Sequence, residues 1–453
     1  MAKAKKKEST LTLEEKLAQA LVPESEQPYK VPKNWCWTRL SCVAKWGSGG
    51  TPSRKHPEFY NGDILWVKTG ELNNNYIYNT EEKITEEAIV NSSAKLFPKD
   101  TIVIAMYGAT IGKVAVLGVP ATTNQACACG ICSDGLYNKF LFYYAIQQKE
   151  TFINLGKGGA QPNISQEIIK KHIIALPPLA EQRRIVERIE ALFDKLDEAK
   201  EKLQEVLDSF ETRKAAILHK AFTGELTAKW REEHGVSLDS WEKKKLGECT
   251  EKIGDGIHGT PVYTDNTNYY FVNGNNLSGT NIEIKADTKT VGYDEYKKYK
   301  VELDVDKTVF VSINGTLGKT AFYNEETIIL GKSACFVNVL PCLDKNFLRY
   351  YFTSKEFIDY ATAKATGSTI KNLGLKAMRE LPLLVPSREE QIEINFLLEN
   401  VLEKEETLKE KVLLVLDEFD LLKKTILARA FRGELGTNDE NDECAVELLK
   451  KVL

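Results

Sequence analysis

Two stretches of the chain carry apolar residues at alternating steps of four and three: 185, 189, 192, 196, 199, 203, 206, 210, 213 and 217, then 394, 398, 401, 405, 408, 412, 415, 419, 422 and 426. Nine of the ten positions are apolar in each stretch, with charged residues between them. The spacing predicts two long helices, each with a coiled-coil seam, and about 40 residues of helix make a rod of roughly 60 Å. A helix packed on its own domain would show a similar stripe, but long regular heptads favour helix against helix. The exceptions to the pattern are Arg213 and Glu405. In a parallel, repeat-matched register they would face Leu422 and Leu196, leaving two unpaired charges in an apolar seam, which is costly. An antiparallel register centred near residues 204 and 413 brings the two charges together. The pattern therefore predicts an antiparallel pair and a pseudo-twofold internal repeat.

Outside these stretches, short β-branched and aromatic runs are punctuated by Gly, Asn and Pro. They predict two compact mixed domains with a twisted sheet and few helices, at 30–165 and 241–375. One helix is expected in each, around "NKFLFYYAIQQKETFINL" and "KNFLRYYFTSKEFIDYAT". The chain is duplicated: "FETRKAAILHKAFTGEL" (210–226) and "FDLLKKTILARAFRGEL" (419–435) share nine of 17 positions at an offset of 209. The same offset reaches back through Glu181-Gln182 and Glu390-Gln391 to Asn163 and Asn372. Upstream the likeness thins: "WVKTGELNNNYI" (66–77) answers "FVNGNNLSGTNI" (271–282), and "GGTP" (49–52) answers "HGTP" (258–261). The expected layout is an extension (1–29), a first domain (30–165), a helix with linker (166–240), a second domain (241–375), a second helix (376–436) and an acidic tail (437–453). The fold class is α+β, with two mixed α/β domains joined by two long antiparallel helices.

A hydrophobic content of 42% and a charged content of 28% are those of a soluble globular protein. No run approaches the roughly 18 apolar residues that span a bilayer. "MAKAKKKEST" leads into an amphipathic segment without an apolar core, so no secretory signal is expected and the protein is read as cytoplasmic. Nine irregularly spaced cysteines fit a reducing compartment. The cluster "CACGIC" has three thiols but no matching pair for a structural zinc site, and reads as a buried strand. Net charge is −4 overall, but 30–165 holds 14 Lys/Arg against 10 Asp/Glu (net +4) and 372–453 holds 12 against 18 (net −6). One part suits an anionic partner and another suits protein.

"SINGTLGKTA" (312–321) contains the Gly-Lys-Thr of phosphate-binding loops. Its counterpart "AMYGATIGKVA" (105–115) has Val114 in place of the hydroxyl residue, and neither has the G-x-x-x-x-G-K-[ST] spacing. Both read as a strand, a glycine-permitted turn and another strand. "GKS" at 331–333 has Glu326 where the first glycine belongs. "GDGIHG" (254–259) matches G-x-G-x-x-G, but Pro261 and β-branched residues follow where a helix should open, so it reads as a turn. No Asn/Asp-Pro-Pro-aromatic methylation motif and no complete helicase or nuclease motif occurs.

The layout resembles the specificity subunit of type I restriction-modification systems, over nearly the whole chain. The likeness is carried by "VPKNWCWTRL", "LPPLAEQRRIVERIEALFDKLD", "ILHKAFTGELTAKWREEH", "ILARAFRGEL" and the two Gly-Lys turns, with "VPSREEQIEINFLLENV" a looser second copy. The resemblance implies that each domain is a target recognition domain reading half of a split, asymmetric duplex DNA sequence, with the helices setting the spacer. It implies a non-catalytic chain whose partners are two methylation subunits and restriction subunits. S-adenosylmethionine, ATP and Mg²⁺ would reside on those partners, with no cofactor here. A coiled-coil scaffold whose domains bind protein or another ligand is the alternative. It accounts for the rods but not for two diverged domains on similar spacers.

Residue chemistry marks candidate DNA contacts. "GSGGTPSRKH" offers backbone N–H groups with Arg54 and Lys55, suited to phosphate or to a solvated turn. "KTGELNNN" (Lys68, Asn73, Asn74) and "NGNNLSG" (Asn273, Asn275, Asn276) are dense in amides that can pair with an adenine edge or build turns. The loops before the two rods carry Lys157 and Gln161, and Lys364, Ser368, Thr369 and Lys371, able to hold backbone or bases. Lys113 and Lys319, on matching turns, are the better phosphate candidates. Tyr269 and Tyr270 suit sheet packing or base stacking.

Overall fold

The computed structural model describes residues 11–156, 163–367 and 370–453. It divides into two units, one running up to Glu201 and including Val415–Leu453, the other Lys202–Leu414. Each unit thus holds one mixed domain and part of each long helix, Leu179–Phe222 and Arg388–Ala430.

In the first unit a five-stranded sheet runs in the order Ala44–Ser48, Cys127–Cys132, Ile102–Ala105, Val114–Leu117, Asn75–Ile77. Residues alternate between its faces, as strand geometry requires. Ile102, Ile104, Val114 and Val116 pack against Phe140, Leu141 and Tyr144, while Val103, Ala105, Ala115 and Leu117 pack against Leu65, Val67, Leu72 and Phe97. Cys127 and Cys129 are fully buried in this sheet, and burial pushes the Cys129 thiol up to about 12. A separate antiparallel pair, Cys36–Arg39 with Ile173–Leu176, brings the chain before the domain to the start of the first long helix.

The second unit repeats this plan. Its sheet runs Thr250–Asp255, Ala334–Val339, Thr308–Ser312, Thr320–Phe322. Val309, Val311, Val337 and Val339 face Phe347, Leu348 and Tyr351, and Phe310, Phe336 and Ala321 face Val272, Leu277 and Leu330. Glu242–Lys245 pairs with Pro382–Val385 in the role of the first unit's two-stranded pair. The G-x-G-x-x-G match is explained by packing. A Cβ on Gly254 would sit 2.7 Å from the Phe336 ring, and one on Gly256 2.0 Å from the Leu330 carbonyl oxygen. "TEKIGD" is itself a strand, and no helix opens after it.

The long helices run antiparallel within each unit. In the second, Arg213 Nε donates to Glu405 Oε2 at 2.9 Å, the pairing expected from the two charged seam positions. In the first, Lys423 meets Asp197 at 2.6 Å. The duplicated "AF" at the helix ends works crosswise: Phe222 packs on Phe347 and Tyr351 with ring centroids 5.3 and 5.1 Å away, and Phe431 on Phe140 and Tyr144 at 5.2 and 5.3 Å. Each domain is therefore gripped by the start of the helix that follows it and by the end of the other.

The repeated Glu-Gln completes the grip. Glu181 and Glu390 are fully buried. The Trp35 indole N–H donates to Glu181 at 2.7 Å, and the Trp241 indole N–H to Glu390 at 2.8 Å. Glu181 also accepts from Asn438 at 2.8 Å, whereas Glu390 accepts from Thr227 at 2.7 Å and Arg231 at 2.6 Å. Gln182 donates to the carbonyls of Gly135 and Pro177 and accepts from Tyr137 N–H; Gln391 does the same with Cys342, Pro386 and Asp344.

One expectation changes: the segment expected to form a single helix in each domain forms two, Asn138–Gln147 and Lys149–Leu155 in the first and Lys345–Phe352 and Lys355–Lys364 in the second, where Ser354 caps the new start by accepting from Phe357 N–H. The acidic tail packs into the first unit: Asp442 pairs with Arg184, and the helix Ala445–Val452 buries Ala445 and Leu449 completely. Its apolar positions 445, 448, 449 and 452 have amphipathic spacing that the acidic run 439–443 obscures. The extension joins the same unit through the helix Leu13–Ala20, and Val22 N–H donates to the Trp37 carbonyl at 2.9 Å. Among the described residues no helix is long and apolar enough to cross a membrane.

Replacing Glu390 with Ala strands the buried Arg231 guanidinium and the Trp241 indole N–H, and should cost about 3–5 kcal/mol in denaturant unfolding. Glu181→Gln, which removes no ion pair of that kind, should cost less. His172, packed against the Tyr144 and Phe152 rings, is held by burial at about 4. Its folded value lies below its unfolded one, so its contribution is full above about pH 6.5 and is lost as pH falls toward 4. The loss is at most about 3 kcal/mol; His172→Gln should flatten urea midpoints across that window.

Candidate nucleic-acid interface

In each domain three segments far apart in sequence meet at one end of the sheet. In the first, the turn from Tyr107 to Lys113 joins Ile102–Ala105 to Val114–Leu117. Asn74 N–H donates to the Val114 carbonyl at 2.8 Å, Tyr107 bridges Asn163, and Ile164 N–H donates to the Met106 carbonyl at 2.9 Å. In the second, the turn from Asn314 to Lys319 is met by the segment at Gly279, whose carbonyl accepts from Thr320 Oγ1 at 2.8 Å. It is met also by the loop before the rod, where Gly315 N–H donates to the Lys371 carbonyl at 2.9 Å and Asn314 bridges Asn372.

The glycines of both turns have positive φ: Gly108 61° and Gly112 75° in one, Gly315 75° and Gly318 83° in the other. Such backbone suits glycine. A Cβ on Gly318 would also fall 2.8 Å from the Phe352 carbonyl oxygen. The Gly-Lys pair is thus the exit of a tight turn between antiparallel strands, and it presents the lysine at the sheet end.

The candidate side chains separate by what they already hold. Lys113 donates to Asn73 Oδ1 at 3.2 Å, so these two are brought together, with Asn74 beside them at φ 56°. Lys319 and Lys364 are exposed and have no carboxylate partner among the described residues; exposed Lys371 donates to the Thr362 hydroxyl at 3.4 Å. These cations are open to an anionic partner. Lys55 is exposed as well. Arg54, in contrast, pairs with Glu82 at 2.7 Å and lies 4.3 Å from the Tyr60 ring centroid. Lys68 sits between Glu81 and Glu82 at 2.7 and 3.0 Å, and its hydrogen bonds to them raise its pKa.

The amide-rich segments prove to be matching short turns. Asn276 is buried; its Oδ1 accepts from Asn273 N–H at 3.1 Å and its Nδ2 donates to the Glu283 carbonyl at 3.0 Å. Asn273 Oδ1 accepts from Asn275 N–H at 2.9 Å, and Asn275 is exposed. Glu71 takes the place of Asn276 in the first domain, accepting from Lys68 N–H at 2.7 Å. Tyr269 stacks on Tyr296 with centroids 4.7 Å apart, and Tyr270 lies in the strand Tyr270–Val272. Lys157, Gln161, Ser368 and Thr369 lie outside the described residues.

Sequence reasoning missed Trp35, Trp241 and Arg231, on which the grip at Glu181 and Glu390 depends. The signal was present: each tryptophan ends or begins a domain boundary, and both stand upstream of a matching Glu-Gln.

A family model described as the type I restriction modification DNA specificity domain matches the chain twice, at residues 32–208 and 239–416. The specificity subunit of the type I restriction enzyme MjaIX of Methanocaldococcus jannaschii is 30% identical over 340 residues, 71% of this chain and 76% of that protein. The StySPI specificity subunit of Salmonella potsdam is 26% identical over 432 residues, 90% of each. A crystal structure of the HsdS subunit from Thermoanaerobacter tengcongensis matches with a TM-score of 0.64 at 19% identity, covering 90% of this chain and all 100% of that one, a likeness of fold.

Lys319→Ala should weaken binding to every duplex alike and lower the dependence of log affinity on log salt by about 1. Titrations at three salt concentrations check this, and unchanged affinity would remove Lys319 from the interface.

Proposed function

The chain belongs to the type I restriction-modification DNA specificity family, and from that premise we propose that each domain reads one half of a split, asymmetric DNA target while the paired long helices fix the spacer. The observation that carries this reading is the crosswise grip: Phe431 on Phe140 and Phe222 on Phe347, with buried Glu181 and Glu390 at the helix starts. Two unlike domains clamped to both helices suit two unlike half-sites held at a set distance. Half-sites about 34 Å apart fall on one face of the duplex.

The chain supplies specificity and not catalysis, which lies on the methylation and restriction subunits. Its partners are two methylation subunits and restriction subunits. S-adenosylmethionine, ATP and Mg²⁺ are held by those partners, and the assembly works in the cytoplasm. Lys113 with Asn73 and Asn74 in the first domain, and Lys319, Lys364 and Lys371 in the second, contact DNA. Lys55 and Asn275 are exposed enough to add to it, while Arg54, Lys68, Asn273 and Asn276 shape the segments around it.

Co-expression with a methylation subunit from the same host, followed by sequencing of methylated adenines, tests the proposal. A single split motif with two unlike halves is expected. A stable complex that methylates no such motif would instead favour a scaffold whose domains bind something other than DNA.

A further inference from the structure

The two sheets match residue for residue as they enter the Gly-Lys turn. Met106 and Ile313 face the cores shared with the domain helices. Ala105 opposes Lys113, its N–H donating to the lysine carbonyl at 2.9 Å, and Ser312 opposes Lys319 in the same way at 2.8 Å. Opposed residues, and residues two apart on an extended strand, share a face. Tyr107 is extended, at φ −128° and ψ 142°, so it shares the face of Ala105 and Lys113. Asn314, bridged to Asn372, holds the corresponding place beside Ser312 and Lys319. The turns differ by one residue between their glycines, yet both ends are fixed by the same backbone geometry. Positions 107 and 314 are therefore equivalent, although the alignment offset of 209 does not pair them.

Their chemistry differs while their setting does not. Tyr107 is 45% exposed, and its hydroxyl has no hydrogen-bond partner among the described residues. Its neighbours at the sheet end are polar: Thr110 donates to its backbone carbonyl at 2.7 Å, and Lys113 reaches Asn73. Among the described residues the Tyr107 ring joins none of the apolar cores of its unit. Asn314 Oδ1 has no hydrogen-bond partner among the described residues, and Nδ2 donates to Asn372 Oδ1 at a long 3.3 Å. A lysine that holds phosphate at this end would set the neighbouring residue against the bases.

We propose that positions 107 and 314 are a matched pair of base-contacting positions, one per recognition domain, at which Tyr107 meets its half-site through an aromatic face and Asn314 meets the other through an amide. The inference rests on the DNA-reading function proposed above and adds the residues that make the two halves unlike. An aromatic face suits the thymine methyl, and an amide suits the paired donor and acceptor of the adenine edge.

The test uses the full chain co-expressed with a methylation subunit, comparing wild type with Tyr107→Ala, Asn314→Ala and Asn314→Tyr by sequencing of methylated adenines and by binding at several salt concentrations. Tyr107→Ala should weaken preference at a base in one half of the motif only, and Asn314→Ala in the other half only, by about 10- to 100-fold. Neither should change the salt slope. Asn314→Tyr, which keeps a side chain at that place, should alter the preferred base rather than abolish binding. Both motif halves unchanged in all three variants would overturn the inference while leaving the function intact, as would either alanine variant relaxing both halves. A wild-type complex without a split motif would overturn both.

Discussion

A carboxylate buried at the start of each long helix is the constraint on which the rest depends. Removed from water, such a group persists only if hydrogen-bond donors surround it. At Glu181 and Glu390 the donors come from separate parts of the chain: an indole from the approach to the domain and a polar side chain from the segment after the other helix. One side chain thus ties three segments, and the adjacent glutamine fixes the helix start to the loop ahead of the domain's own helix. The aromatic contacts of Phe222 and Phe431 then close on a geometry already determined.

The two copies of this device are not electrostatically equal. Glu390 has the Arg231 guanidinium, whereas the donors to Glu181 are neutral, with Arg184 acting only at longer range. Burial accordingly raises the pKa of Glu181 against the lowering effect of Trp35 and Asn438. The duplicated sequence preserved the acceptor and let its donors diverge, because hydrogen-bond geometry can be met by several side chains.

What was legible in the sequence was whatever depends on periodicity. The helices, their antiparallel sense and the duplication followed from apolar spacing and from two charges that no other register pairs. The division of each helix between two units was not legible, because heptads record that a helix is packed and not which domain it packs on. Ala445–Val452 was hidden by the acidic residues before it, and the break at Ser354 by apolar spacing that continues across it. At the candidate interface the amide-rich segments were visible, but composition cannot tell a side chain that closes its own turn, as Asn276 does, from one left open. Lys68 and Lys319 look alike as letters; only the fold puts two carboxylates against the first.

The crosswise grip also bears on the order in which the protein is made. Domains tend to fold as units as they leave the ribosome. Here the first domain emerges early, yet its unit includes Phe431, Asn438 and the helix Ala445–Val452, which are translated after the whole of the second unit. The second unit, contained within Lys202–Leu414, is the first to have all its parts. A nascent chain stalled once Leu414 has left the ribosome would carry a complete second unit and a first domain still waiting for its clasp.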